Sequence, residues 1–387
     1  MCCRPVTAAR HCQKGAFRAD VALEVRVRTQ HTVQHFAAGM AHKKHRGMRA
    51  PHILFILVDD LGHANIGFNR KTGSLPPEVR TQRIDALARS GLLLDRHYVY
   101  HTCTPSRAAF LSGRLPVHVT QKLYLPEQSN AGIPRNMTTI ASVLKRAGYA
   151  THLVGKWDAG MATPTHTPQG RGFDSSLGYF GHKNDFWTKG IMQSLCLRAG
   201  AKYANLTDLW DTNRPAEITG QYEELTFRQR ALSIIYAHKR NGALYTPLFL
   251  LYTPHVAHCP LQSPHEYIER FYPLTAHDDE GECEAQTSRS FCPRCSGPTP
   301  SWPPYKRYQC RALYSSMVAF LDESIGLLVD AMHNASLYDD SLIVLASDNG
   351  GPINLAESAA NNWPLRGGKY SDFEGCAHIH TTRPNTP

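Results

Sequence analysis

The sequence predicts an α/β fold: a mostly parallel central sheet sandwiched by helices. Two observations carry the prediction. A continuous apolar run with β-branched residues occurs at His52–Val58, further buried-strand runs at Leu248–Tyr252 and Ser341–Ala346, and a strand-like segment at Tyr149–Val154. Such runs suit strands buried on both faces, as in a parallel sheet. Segments with helical apolar spacing lie between them, giving the strand–helix alternation that folds as layered α/β. The 387 residues, 42% hydrophobic and 9% aromatic, are enough for one large globular domain.

In chain order, residues 1–50 are rich in Arg, His and Lys, lack steady periodicity and read as a basic, disordered arm. They contain no long apolar stretch of the signal-peptide kind. Order begins at Pro51, and the first strand ends in Asp59-Asp60-Leu61-Gly62. Thr81–Tyr98 reads as a helix with an Ile84, Leu87, Ala88 stripe, with a short strand at Leu92–Leu94. Cys103–Gly113 reads as a helix with Pro105 in its first turn. Thr138–Ala147 is amphipathic and stops at Gly148. The Tyr149–Val154 strand runs into Gly155-Lys156-Trp157-Asp158, and residues 163–190 read as a long loop without period.

Phe227–Lys239 reads as a helix before the Leu248–Tyr252 strand, which leads into Thr253-Pro254-His255-Val256-Ala257-His258. Residues 275–307 form a Cys/Pro-rich insertion, and Leu313–Met332 a long helix with apolar positions at Met317, Phe320, Leu321, Ile325 and Leu328. The last predicted strand, Ser341–Ala346, ends in Ser347-Asp348-Asn349-Gly350-Gly351. Residues 376–387 read as an atypical polar tail.

The formal net charge of +10 favours anionic partners without choosing among them, and no nucleic-acid motif is visible. No stretch approaches the ~18 consecutive apolar residues of a membrane span. The 11 cysteines leave at least one outside any intramolecular disulfide. Cys283, Cys292, Cys295 and Cys310 cluster in one segment, where disulfides are favoured over zinc. Acceptor sequons start at Asn136, Asn205 and Asn334, which with the cysteines point to a secretory compartment.

Four strand ends carry polar clusters: Asp59/Asp60, Lys156/Asp158, His255/His258 and Asp348/Asn349. Each alone suits a turn. Together, at the carboxyl ends of parallel strands, they mark where α/β sheets place ligands. Adjacent carboxylates are costly unless a cation neutralises them, and hard oxygen donors suit Ca²⁺ or Mg²⁺. Cys103 stands just before a helix and beside Arg107, where an anion is favoured; the alternative is a buried structural thiol.

The motifs Cys103-Thr104-Pro105-Ser106-Arg107, Leu111-Ser112-Gly113-Arg114, Gly155-Lys156-Trp157, Arg171-Gly172-Phe173-Asp174, His258-Cys259-Pro260-Leu261-Gln262-Ser263-Pro264, Ser347–Gly351 and Asn362-Trp363-Pro364-Leu365-Arg366-Gly367-Gly368-Lys369 occur in one order. In that order the chain resembles the sulfatase family of the alkaline-phosphatase-like superfamily over most of residues 51–375, and within it the arylsulfatase B-like branch. The resemblance implies a catalytic domain over 51–375 and hydrolysis of sulfate esters, aryl sulfates or sulfated sugars. It implies that Cys103 is converted to formylglycine by a formylglycine-generating enzyme and acts, hydrated, as nucleophile. It implies one Ca²⁺ ion held by Asp59, Asp60, Asp348, Asn349 and the modified Cys103. Arg107 would hold the aldehyde hydrate, Lys156 and Lys369 the sulfate oxygens, and His258 would assist the leaving group. A lysosomal or extracellular location is implied as well.

The chain departs from the family pattern twice. Where the family carries His after Gly-Lys-Trp, this sequence has Asp158, and His166 or His182 is the candidate replacement. After Glu374-Gly375 the family's further strands and smaller C-terminal domain are not recognisable. Two other functions stay open beside the sulfatase: a related phosphate or phosphonate ester hydrolase, and an inactive sulfatase-like fragment.

Overall fold

The computed structural model describes residues 49–70, 78–122, 128, 131–190, 207–218, 220–240, 246–271, 310–353 and 359–384. The basic arm up to residue 48 and the insertion at 275–307 lie outside the described residues.

Among the described residues, nine strands form one sheet: β1 His52–Val58, β2 Gly91–Tyr98, β3 Ala150–Gly155, β4 Ser175–Gly178, β5 Trp210–Asp211, β6 Arg214–Pro215, β7 Leu248–Thr253, β8 Ser341–Ser347 and β9 His378–Pro384. Their order is β2-β9-β8-β1-β7-β3-β4-β5-β6. Strands β8, β1, β7, β3 and β4 run parallel, and antiparallel strands flank them on both sides. The helices are α1 Gln82–Ser90, α2 Cys103–Ser112, α3 Pro116–Val119, α4 Ile140–Arg146, α5 Glu223–Arg240, α6 His265–Ile268, α7 Cys310–Asn334 and α8 Glu374–Ala377.

β7 shows why its sequence is apolar throughout. Leu250 and Tyr252 pack with Leu54, Ile56 and Val58 against Phe227 and Ala231 of α5 and Phe320, Leu321 and Ile325 of α7. Phe249 and Leu251 point the other way, into a second core with Ala108 and Leu111 of α2 and Ala141 of α4. Both faces are covered, so the period-two alternation of a half-exposed strand has no place here. α7 is long and apolar enough to cross a membrane, but it is mostly buried in the first core.

Local signals set several boundaries. Thr139 caps α4 through a reciprocal box, its Oγ1 accepting from Ser142 N–H (3.3 Å) while Ser142 Oγ accepts from Thr139 N–H (3.0 Å). Gly113 ends α2 in the left-handed region (φ 65°). Cys310 is disulfide-bonded, whereas Cys103 and Cys376 are buried thiols outside any disulfide.

The structure corrects three expectations. The helix expected over Thr81–Tyr98 ends at Ser90, and the whole of Gly91–Tyr98 is strand. The apolar stripe stops at Ala88 and Gly91 breaks the helical period. Residues 163–190 contain two short 3₁₀ turns and the strand β4, which extends the parallel set beyond β3. After Glu374-Gly375, where the sequence shows no further recognisable strand, the polar tail supplies one: β9 lies between β2 and β8, antiparallel to both.

Candidate active site

The parallel register converts four sequence clusters into one site. Val58 pairs with Ser347, so Asp59 and Asp348 leave the sheet side by side. Gly155 pairs with Thr253, which brings Lys156 up beside the β7 end. α2 starts with Cys103 in the same place, and the segment 361–373 returns Lys369 to it.

Cys103 Sγ lies 3.4 Å from Asp59 Oδ1 and 3.1 Å from Lys369 Nζ. Lys369 also reaches Asp60 Oδ1 (2.7 Å) and Oδ2 (3.0 Å). Lys156 Nζ donates to Asp59 Oδ2 (2.6 Å). Arg107 Nε donates to Asp348 Oδ2 (2.8 Å), and its Nη1 to the Lys156 carbonyl (3.1 Å). Asn349 Nδ2 donates to Asp60 Oδ1 (2.6 Å). His258 Nδ1 faces the Cys259 carbonyl (2.6 Å) and therefore carries a hydrogen; its Nε2 lies 3.7 Å from Asp60 Oδ2. Every residue expected at the site is here and buried.

Burial would raise the Asp59 carboxyl, but Lys156, His258, Arg107 and Lys369 together hold it well below the usual carboxylate range. Burial wins at Asp60, whose carboxyl is raised despite Lys369. Burial and neighbouring Asp59 push Asp348 up to about 7, against Arg107. Burial, then Asp348 and Asp59, drive the Cys103 thiol well above its ordinary value, so the unmodified thiol is a poor nucleophile.

The donor set fits a hard divalent cation. Ligand atoms of Asp59, Asp60, Cys103 and His258 all lie within 4.8 Å of one another. Asn349 Oδ1 is buried with no hydrogen-bond partner. Carboxylate and amide oxygens are what calcium takes. Asp348, another expected ligand, also anchors Arg107 through its Oδ2 (2.8 Å).

Sequence reasoning missed the layer beneath. Tyr314 of α7 donates to the Asp60 carbonyl (2.8 Å) and accepts from Gly62 N–H (3.1 Å), which holds the turn where Asp60 sits at φ 55°. Glu224 Oε1 accepts from His255 N–H (2.6 Å) and Val256 N–H (3.3 Å), fixing the segment that carries His258. The helix expected to start at Phe227 starts at Glu223, and Glu223 and Glu224 in its first turn are both wholly buried. The candidate replacements also separate. His182 Nδ1 lies 2.7 Å from Asp158 Oδ1, whereas His166 Nδ1 bonds Thr163 Oγ1 (2.8 Å).

The fold and cluster define an α/β protein of the alkaline-phosphatase-like superfamily, with buried cations and carboxylates converging on one cysteine at the sheet's carboxyl edge. The sulfatase family profile matches residues 51–379, and the chain belongs to that family. Mouse arylsulfatase J is 30% identical over 331 residues, covering 85% of this chain and 47% of the relative. Human N-acetylgalactosamine-6-sulfatase is 26% identical over 339 residues, 84% of this chain and 55% of the relative. The crystal structure of Ps i-CgsB with k-i-k-neocarrahexaose superimposes with a TM-score of 0.66 at 29% identity, over 87% of this chain and 66% of that one. The chain spans about half the length of the curated relatives it matches.

Proposed function

We propose that this chain carries the catalytic site of a sulfuric ester hydrolase of the arylsulfatase kind, with Cys103 matured to formylglycine and one Ca²⁺ ion. The observation that carries it is the contact of Lys369 Nζ with Cys103 Sγ (3.1 Å), inside a cluster that also holds Asp59 and Asp60.

Formylglycine, when formed at Cys103, supplies a hydrated aldehyde whose hydroxyl can attack sulfur. Asp59, Asp60, Asp348 and Asn349 would hold the calcium, which neutralises ester charge. The other roles fall to side chains already in place. Lys156 and Lys369 are buried cations that stabilise the anionic group where water cannot screen it. Arg107, anchored on Asp348, holds the position beside residue 103. His258 donates its Nδ1 hydrogen to the Cys259 carbonyl and turns Nε2 toward Asp60; assisting the departing oxygen would need a second proton, carried on Nε2. The maturing enzyme, sulfated sugar or aryl sulfate substrates and a lysosomal or extracellular location belong to the same proposal. Exposed sequons at Asn136 and Asn334 suit a secreted glycoprotein.

The test is peptide mass spectrometry across Cys103 in protein made with formylglycine-generating enzyme, alongside turnover of matched sulfate and phosphate esters. Modified Cys103 with preference for sulfate is expected. An unmodified thiol, or preference for phosphate, overturns the proposal. Calcium should raise the melting temperature of wild type, and Asp60→Ala should abolish that rise.

A further inference from the structure

Asp158 presents a physical problem. It is 1% exposed, lies two residues from Lys156 and is tied to Thr104 in the first turn of α2. A bare carboxylate there would repel a bound sulfate group. The surroundings remove the difficulty. Asp158 Oδ1 accepts from Thr104 Oγ1 (2.7 Å) and lies 2.7 Å from His182 Nδ1, while Thr104 Oγ1 is 3.2 Å from the same ring nitrogen. Oδ2 has no hydrogen-bond partner and faces Lys156 Nζ at 3.7 Å. The carboxylate is therefore sheathed by the residue next to Cys103, by a lysine and by an imidazole.

His182 is held in place from both sides. Gly181 N–H donates to Asp208 Oδ2 (2.7 Å) and Phe180 N–H to Asp208 Oδ1 (3.0 Å). On the other side, buried Asn184 donates to Glu223 Oε2 (2.7 Å) and to the Asp208 carbonyl (3.0 Å). A carboxylate only accepts, so Nδ1 carries the hydrogen toward Asp158 and the ring's far edge presents Nε2. The His182 side chain is 15% exposed against 1% for Asp158, so the ring forms the outer layer of the pair.

We propose that Asp158 and His182 work as one unit: Asp158 is a positioning residue that orients the ring, and His182 places Nε2 against the sulfate group bound beside Cys103. The imidazole that the family carries on the residue after Trp157 is thereby supplied from a different segment. His182 is a catalytic residue in this sense, and the inference rests on the proposed sulfate-ester function.

The experiment titrates inorganic sulfate into the full-length chain by calorimetry, and reads the ring tautomer from ¹⁵N-histidine spectra assigned by difference with a His182→Gln variant. His182→Ala should weaken sulfate binding about tenfold or more, the scale of a lost hydrogen bond to a charged group. Asp158→Asn should weaken it less and shift His182 away from the Nδ1–H form. Adding Asp158→His to His182→Ala should restore sulfate affinity, a rescue that a purely structural role would not give. Wild-type sulfate affinity in His182→Ala, or no sulfate binding by wild type, overturns the inference whatever the turnover. Loss of the sulfatase function shows separately, as formylglycine-bearing wild type that binds sulfate but does not cleave its esters.

Discussion

Lys156 Nζ lies 2.6 Å from Asp59 Oδ2, both side chains are wholly buried, and the pair bridges the ends of β3 and β1 across the intervening β7. Removing one partner of such a pair leaves a buried charge short of compensation. Lys156→Met should destabilise the fold by about 3 kcal/mol, with Arg107 Nη2 at 3.4 Å from Asp59 limiting the loss. Adding Asp59→Asn should regain stability without regaining turnover. Urea unfolding and ester hydrolysis on both variants check this.

Glu224 is buried and pushed up to about 8 by burial, its backbone donors His255 and Val256 opposing, so it is uncharged near pH 7. Glu224→Gln keeps the acceptor oxygen and should change stability by under about 1 kcal/mol, whereas Glu224→Ala orphans two buried N–H groups and should cost about 2–4 kcal/mol. The alanine variant should also lose turnover, because the segment it releases carries His258. Equal stability of the two variants would refute the anchoring role.

Asp322 of α7 accepts from Ile84 N–H (2.8 Å) and Arg83 N–H (3.1 Å) at the start of α1. Burial pushes its carboxyl up to about 6 against these donors. The folded value exceeds the unfolded one, so the group's contribution to stability is whole below about pH 4 and is lost as pH rises through 6. Asp322→Asn should therefore gain on wild type between pH 4 and 7 by on the order of 2 kcal/mol. Unfolding curves across that range measure the difference; a pH-independent gap would show an unperturbed carboxyl.

Thr139 links the start of α4 to the Arg171 carbonyl, to which its hydroxyl donates at 2.5 Å, besides capping the helix. Thr139→Ala should lower stability by about 1–2 kcal/mol, and Thr139→Ser should retain most of it. Thermal denaturation of the two variants distinguishes loss of the hydroxyl from loss of the methyl.

How much was legible in the sequence follows from what each part buries. Strands β1, β7 and β8 are covered on both faces, so Leu54, Leu250 and Leu345 announce them by apolar content alone. Their polar ends, Asp59, His255 and Asp348, were legible because charge directly after such a run needs a partner. The strand β9 was not legible, since Thr381 and Thr382 join the sheet through backbone pairing that leaves no apolar signature. Residues 163–190 hid β4 for a similar reason: Ser175-Ser176-Leu177-Gly178 is too short to show a period. The sequence offers His166 and His182 alike, and which ring meets Asp158 depends on Asp208 and Asn184 rather than on sequence distance.

Cys103 is 2% exposed, enclosed by groups contributed from Asp59 at one end of the chain order to Lys369 at the other. An enzyme that converted this side chain as proposed would need to reach a group that the finished fold buries. Under the proposed conversion of Cys103, that chemistry would have a deadline, set by the docking of β8 and the Lys369 segment, which leave the ribosome long after Cys103. Maturation and folding would then compete for the same stretch of polypeptide. A substitution that only hastens folding would then yield protein that is stable, correctly shaped and less completely processed.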